Sequence, residues 1–296
     1  MKIQITTTNQ VNFNLTLWRY QAFGEDAANY FDGTIFRKAV KVRVETHLLC
    51  LSQQDNRIML EIQPTPANSR ARSLLEGMAK DILGLRFPLE EFYQFARNDR
   101  VLSDLTHRFR GLRPTLTPNL FESMVTSITA QQINLQFAFA VRSRLVRQFG
   151  ETFSMNGRLF YTFPSPSRLA RASIESLQKL QLTMRKSEYI IGLSELVSSG
   201  ELDLERLPKM SDEEIMDRLL PIRGFGRWSV DWLLARGLGR GNACPVGDLG
   251  VRKAIQHFYF EGEQKTEEEL REFAAQWRDY ANLAVHYLLK GWTEKK

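Results

Sequence analysis

Between residues 219 and 234 the chain reads Leu-Leu-Pro-Ile-Arg-Gly-Phe-Gly-Arg-Trp-Ser-Val-Asp-Trp-Leu-Leu, and this stretch constrains the fold more than any other. Apolar residues at helical spacing lie on both sides of two glycines, which predicts helix, tight turn, helix. Gly224 and Gly226 flank one apolar residue, Phe225, expected to tuck between the helices. Glycine permits a positive φ and lets the backbone come close to another molecule. The second helix turns the free N–H groups of its first turn toward whatever lies over the hairpin, which suits a phosphate.

A bare Gly-x-Gly is most simply a turn. Here the apolar pair Leu219-Leu220 before it and the amphipathic helix after it match a helix-hairpin-helix, a sequence-independent clamp on a DNA backbone. Lys and Arg number 40 against 34 Asp and Glu, a net charge of +6, which leans toward a polyanionic partner. Asp248 follows 22 residues beyond Gly226, at the end of a glycine-rich loop, and opens a further helix. Taken alone it is an N-cap worth about 1 kcal/mol. Delivered to a helix start at this distance from such a hairpin, it becomes the candidate catalytic carboxylate.

Other chemistries find less support. Cys50 and Cys244 are too few and too far apart for a zinc or iron–sulfur site, and His47, His107, His257 and His286 do not stand at ligand spacing. No metal is expected, and cysteine usage fits a reduced, cytoplasmic compartment. The N-terminus has no signal-peptide core. The longest charge-free run, residues 123–141, is broken by seven Ser, Thr, Gln and Asn residues, so no membrane span is expected. The arginines of the helix ending at Gly150, namely Arg142, Arg144 and Arg147, are candidates for phosphate contacts or for a solvated face.

The expected fold class is α+β, a small N-terminal antiparallel sheet domain followed by a mostly helical, two-lobed core. Residues 40–45 and 58–62 alternate as strands with one wet face, a turn falls at Asp55-Asn56, and a helix over 68–83 presents Ala71, Leu74, Leu75, Met78 and Ile82. From Pro88 onward nearly every segment is helical in period. The boundaries drawn are 1–88 for the sheet domain, 89–118 with 239–296 for the lobe bearing Asp248, and 119–238 for the lobe ending in the hairpin.

These motifs resemble the helix-hairpin-helix DNA glycosylases, and among them the bacterial DNA-3-methyladenine glycosylase II type. The likeness is strongest over residues 219–251, with support from Ser127-Ile128-Thr129-Ala130-Gln131-Gln132-Ile133-Asn134 and Phe163-Pro164-Ser165-Pro166. The resemblance places Asp248 on the catalytic aspartate and Gly224 and Gly226 on the hairpin glycines, with Arg223, Phe225 and Arg227 beside them at the DNA. It places Trp228 where bifunctional glycosylase/lyases carry their Schiff-base lysine. Gln132 falls where a residue fills the gap left by a flipped nucleotide. Trp228, Trp232, Gln131 and Tyr287 fall at the base pocket. A family tryptophan that walls that pocket corresponds to Leu289 here, with Trp292 nearby, and proline stands one place earlier than usual, at Pro245.

The resemblance implies a monomeric, monofunctional glycosylase that acts on duplex DNA containing damaged bases and excises alkylated purines such as 3-methyladenine and 7-methylguanine. Asp248 would stabilise an oxocarbenium-like sugar and activate water. It implies no cofactor, and allows a monovalent cation at the hairpin when DNA is bound. Two alternatives stand beside it: a glycosylase for oxidised purines, and a damaged-DNA-binding protein without catalysis.

Overall fold

The computed structural model describes residues 1–7 and 11–294. Its N-terminal part is a five-stranded antiparallel sheet of β1 (Lys2–Ile5), β2 (Tyr30–Phe31), β3 (Ile35–Val42), β4 (Glu45–Gln54) and β5 (Arg57–Gln63), in the order β1-β5-β4-β3-β2. The alternation read across 40–45 as one strand is broken: Val42 pairs with Glu45, and Arg43-Val44 is the two-residue turn between β3 and β4. Arg43 takes φ 57° there, and the apolar Val44 points into solvent. Asp55-Asn56 is the next turn, as read.

The inner face of the sheet, including Phe36, Leu49, Leu51, Leu60 and Ile62, packs on Leu75, Ala79 and Ile82 of the helix Ser69–Ile82. Leu74 is exposed instead, because one step of 100° turns it off the stripe that Leu75 begins. The outer face is only partly wet. A hairpin of β6 (Thr152–Met155) and β7 (Arg158–Tyr161) packs Phe160 against Ala39 and Leu48. Its turn is Asn156-Gly157, both at positive φ, so a strong hairpin signal lies inside a region read as helical.

The remaining helices build two cores. One gathers Phe92, Leu102, Leu105, Val251, Ile255, Trp277 and Tyr287, from the chain after residue 86 and from its C-terminal part. The other gathers Met124, Ile128, Leu145, Ile190, Leu219, Phe225 and Val230. Trp232 packs against both and so stands at their seam. Two buried ion pairs tie the sheet domain to the second core. Lys38 Nζ lies 2.8 Å from Glu122, both side chains 2% exposed, and Asp26 pairs with Arg142. None of the described helices is long and apolar enough to cross a membrane.

Candidate active site

Helix Asp212–Leu219 begins with a capping box at Ser211 and leads into the hairpin. Phe225 is 4% exposed and packs into the second core, as a residue between two turn glycines should. Gly224 has φ +90°, and a Cβ there would collide with the Tyr189 ring. Gly226 is the N-cap of the helix Arg227–Trp232, and a Cβ on it would meet nothing. One glycine is therefore demanded by the fold, while the other leaves open space over the helix start. The second hairpin helix runs on through a π-helical turn, Leu233–Leu238, to Gly239 in the left-handed region. Such π-turns inside helices recur at functional sites.

Asp248 caps the helix Leu249–Tyr259. Its Oδ1 accepts from the backbone N–H groups of Gly250 (2.8 Å) and Val251 (3.2 Å). Its Oδ2 accepts from the indole N–H groups of Trp228 (3.1 Å) and Trp232 (3.3 Å). Four donors thus fix the carboxylate's position and rotation. Trp228 and Trp232 stand four residues apart on one helix and reach it from the same side. Leu289 also reaches this corner, since a Cβ on Gly250 would lie 3.5 Å from it.

The other residues singled out by sequence fall in different places. Gln131 is a strut: its amide donates to the Gly224 carbonyl (2.7 Å) and to Ser229 Oγ (3.1 Å), locking the hairpin turn. Gln132, next to it, is exposed and has φ 56°, so its side chain stands clear at the tip of the turn. Lys186 Nζ holds that turn from below through the carbonyls of Thr129 (2.9 Å) and Gln131 (2.7 Å), and burial lowers its pKa. Arg223 is 82% exposed with Glu188 at 3.7 Å. Arg227 is partly spent on the buried Asp231, at 3.0 Å. Tyr287 is not brought to Asp248. It is fully buried, its hydroxyl donating to the Leu112 carbonyl (3.0 Å) and lying 3.1 Å from the Tyr93 hydroxyl.

The arginines of the helix Leu135–Phe149 are engaged within the fold. Arg142 is buried against Asp26, Arg144 donates to Gln181, and Arg147 pairs with Glu25. Among the described residues no group of three His, Cys, Asp or Glu side chains gathers to hold a metal. Burial pushes the Cys50 and Cys244 thiols up to about 11 and about 12, which leaves them poor nucleophiles.

A set of residues that spacing did not reveal stands behind Trp232. His286 meets its ring edge-on, with centroids 6.4 Å apart. Arg236 lies 3.1 Å from His286 Nε2 and donates also to Thr115 Oγ1. The one available signal was the stripe Trp228, Trp232, Arg236 at every fourth position.

The description "HhH-GPD superfamily base excision DNA repair protein" matches residues 125–279, and "8-oxoguanine DNA glycosylase, N-terminal domain" matches residues 3–124. The DNA-3-methyladenine glycosylase of Bacillus subtilis is 35% identical over 200 residues, 68% of this chain and 66% of that protein. The chain thus spans about two thirds of that relative's length. DNA-3-methyladenine glycosylase 2 of Escherichia coli is 25% identical over 225 residues, 74% of this chain and 75% of that one. Among solved structures, the 3-methyladenine DNA-glycosylase of Archaeoglobus fulgidus superposes with a TM-score of 0.88 at 28% identity, covering 99% of this chain and 98% of that one. A clamped hairpin, a capped aspartate 22 residues beyond it and two family matches that together cover the sheet and both lobes lead to one assignment: the chain belongs to the HhH-GPD superfamily of base excision DNA repair proteins.

Proposed function

We propose that this protein is a monofunctional DNA glycosylase that turns a damaged purine out of duplex DNA and hydrolyses its N-glycosidic bond, with alkylated purines as its substrates. The observation that carries the reading is the carboxylate of Asp248, aimed by two backbone N–H groups and two indoles. Trp228 stands on the helix position from which a lyase would present an amine, and no lysine lies in residues 227–238. Without an amine to attack the sugar carbon, no Schiff base forms and the strand stays intact. The names of the Bacillus subtilis and Escherichia coli relatives support the choice of alkylated purines.

A base inside a duplex is out of reach, so the nucleotide is extruded, at a cost of a few kcal/mol that is least for a damaged base. The open backbone at Gly226 and the exposed Arg223 take phosphates, and Gln132 fills the gap. As the glycosidic bond lengthens, positive charge builds on the sugar. A fixed carboxylate close by stabilises that charge without reorganising. All of its acceptor positions are occupied before substrate arrives, so charge stabilisation comes first. Water activation follows once an indole yields its bond.

The test is base release from alkylated duplex DNA, with products separated by chromatography and strand breaks scored. Native protein should release 3-methyladenine or 7-methylguanine without breaks. Asp248→Asn should bind the duplex and release at least about a hundred-fold less. Undiminished release by Asp248→Asn would overturn the mechanism. Release confined to oxidised purines would support the second reading, which the match of the N-terminal domain to an 8-oxoguanine glycosylase family favours.

A further inference from the structure

Three guanidiniums come together where the sheet domain meets the two lobes, Arg142 buried and Arg19 and Arg236 half-buried, with Arg19 and Arg142 both over the Phe139 ring. Arg19 comes from the short helix Arg19–Ala22, Arg142 from the helix Leu135–Phe149, and Arg236 from the π-helical turn. Among the described residues the only carboxylate paired with any of them is Asp26, which bonds Arg142. Arg19 Nε and Arg142 Nε are buried without a hydrogen-bond partner. Arg236 donates only to neutral acceptors, Thr115 Oγ1 and His286 Nε2. The histidine's role follows from its other nitrogen. Nδ1 lies 2.8 Å from the Asn282 carbonyl, which can only accept, so Nδ1 carries the proton and Nε2 is free to accept. Desolvation first, then repulsion from Arg19 and Arg142, lowers the Arg236 pKa well below its ordinary value. A surplus of positive charge largely withdrawn from water is costly, and such perturbed groups gather at functional sites.

The place of this surplus identifies its use. Trp228, Trp232 and Arg236 follow one another at every fourth residue, and the first two hold Asp248. Arg19, Trp232, Arg236 and His286 are each half-buried, open to solvent on part of their surface. Trp232 thus stands between the carboxylate of Asp248, which its indole N–H reaches, and Arg236, which lies behind it beyond His286. We infer that Arg236 and Arg19 form the far wall of the chamber that receives the extruded base, and that they select bases presenting acceptor atoms there, a carbonyl oxygen or an unprotonated ring nitrogen, over bases carrying a fixed positive charge. This inference rests on the glycosylase reading and divides its substrates. A guanidinium fork matches a pair of acceptors on a purine edge. It repels a cationic base, whose release then owes more to its own lability than to the protein.

The experiment compares duplexes that differ only in one nucleotide, hypoxanthine or 7-methylguanine, with each single-turnover rate divided by the spontaneous rate of base loss. The native enhancement should be greater for hypoxanthine by about ten-fold or more. Arg236→Met should lower the ratio of the hypoxanthine enhancement to the 7-methylguanine enhancement about ten- to hundred-fold. Arg19→Met should act in the same direction more weakly. Equal losses on both substrates, or a native preference for 7-methylguanine, would overturn the inference. Thermal melting checks that the variants fold, and Arg236→Lys keeps the charge while losing the fork. A second readout needs no catalysis: quenching of tryptophan fluorescence by free inosine or by 7-methylguanosine in mildly acidic buffer, where the latter is cationic. Tighter binding of inosine, lost in Arg236→Met, supports the wall; tighter binding of the cation removes it. If neither duplex releases base and Asp248→Asn matches the native chain, the glycosylase reading fails on its own, and the fluorescence titration still decides the chamber.

Discussion

The helix Leu135–Phe149 and the hairpin around Gly224 both carry arginines, and the fold puts them to opposite uses. Arg142 and Arg147 reach Asp26 and Glu25, while Ser143 Oγ donates to the Glu25 carbonyl at 2.8 Å and accepts from the Ala27 N–H at 3.1 Å. The helix is thus covered by the segment that precedes the sheet's central strands, and two of its three arginines hold that segment while Arg144 reaches Gln181. In the hairpin, Arg223 stands in solvent and Arg227 gives only part of its guanidinium to Asp231. Residue type alone does not separate an arginine that binds a partner from one that holds the fold. What separates them is how closely a carboxylate from elsewhere in the chain holds it: Glu25 lies 2.5 Å from Arg147, while Glu188 lies 3.7 Å from the far more exposed Arg223.

The largest effect that sharpens this contrast belongs to the buried ties. Glu122→Ala leaves Lys38 charged and buried, with Asn29 Oδ1 and a carbonyl as its remaining partners. Breaking one partner of a buried pair costs about 3–5 kcal/mol. Urea unfolding should show that loss, while the salt dependence of DNA binding by the folded protein stays as it was. A change in salt dependence would mean that the sheet domain takes part in the DNA contact.

Next in size is the pair of indole bonds. Trp228→Phe keeps an aromatic face and removes one donor to Asp248. A hydrogen bond to a charged group is worth about 1.5–3 kcal/mol, so base release should fall about ten- to hundred-fold with duplex binding little changed. Trp232→Phe should do the same and also loosen His286. Equal rates in native protein and Trp228→Phe would show that the carboxylate needs no indole to aim it.

His286 supplies a smaller, pH-dependent effect. Burial, with the Arg236 charge adding to it, holds its pKa down to about 3, against 6.5 for the free side chain. Between those values the unfolded chain binds a proton that the folded chain refuses. Stability is therefore full above about pH 6.5 and falls as the pH drops, by at most about 1.4 kcal/mol per unit. Solvent at the exposed part of the ring reduces that slope. Melting temperatures measured from neutral to mildly acidic pH should decline in native protein and decline less in His286→Gln.

These effects also mark how far the sequence was readable. The hairpin and Asp248 were legible because turn glycines and an N-cap act locally, within a few residues of the atoms they serve. The sheet was legible in class, but the turn between β3 and β4 was hidden, because Val40-Lys41-Val42-Arg43-Val44-Glu45 keeps alternating straight through it. Asn156-Gly157 was an open signal of a separate hairpin, masked by helical surroundings. Tyr287, expected at the base pocket, lies in the core instead, and its neighbour in the chain faces the indole. His286 meets Trp232, whereas Tyr287, turned 100° further round the helix, enters the core. Arg236 and His286 are 50 residues apart, and no local pattern foretells that they meet.

The smallest effect tests the opening contrast most directly. Arg223→Ala removes a side chain that is 82% exposed, with a carboxylate only at 3.7 Å. Stability should stay within about 0.5 kcal/mol. If Arg223 meets a phosphate, binding to undamaged duplex weakens, and the slope of log K against log salt becomes shallower by about 1. Arg147→Ala is the matched control, also a surface arginine with a glutamate partner, and its slope should equal that of the native chain. Fluorescence anisotropy across a salt series measures both. A slope that moves for Arg147 and not for Arg223 would reverse the roles of the two helices and place the duplex over the sheet-domain seam instead of over the hairpin.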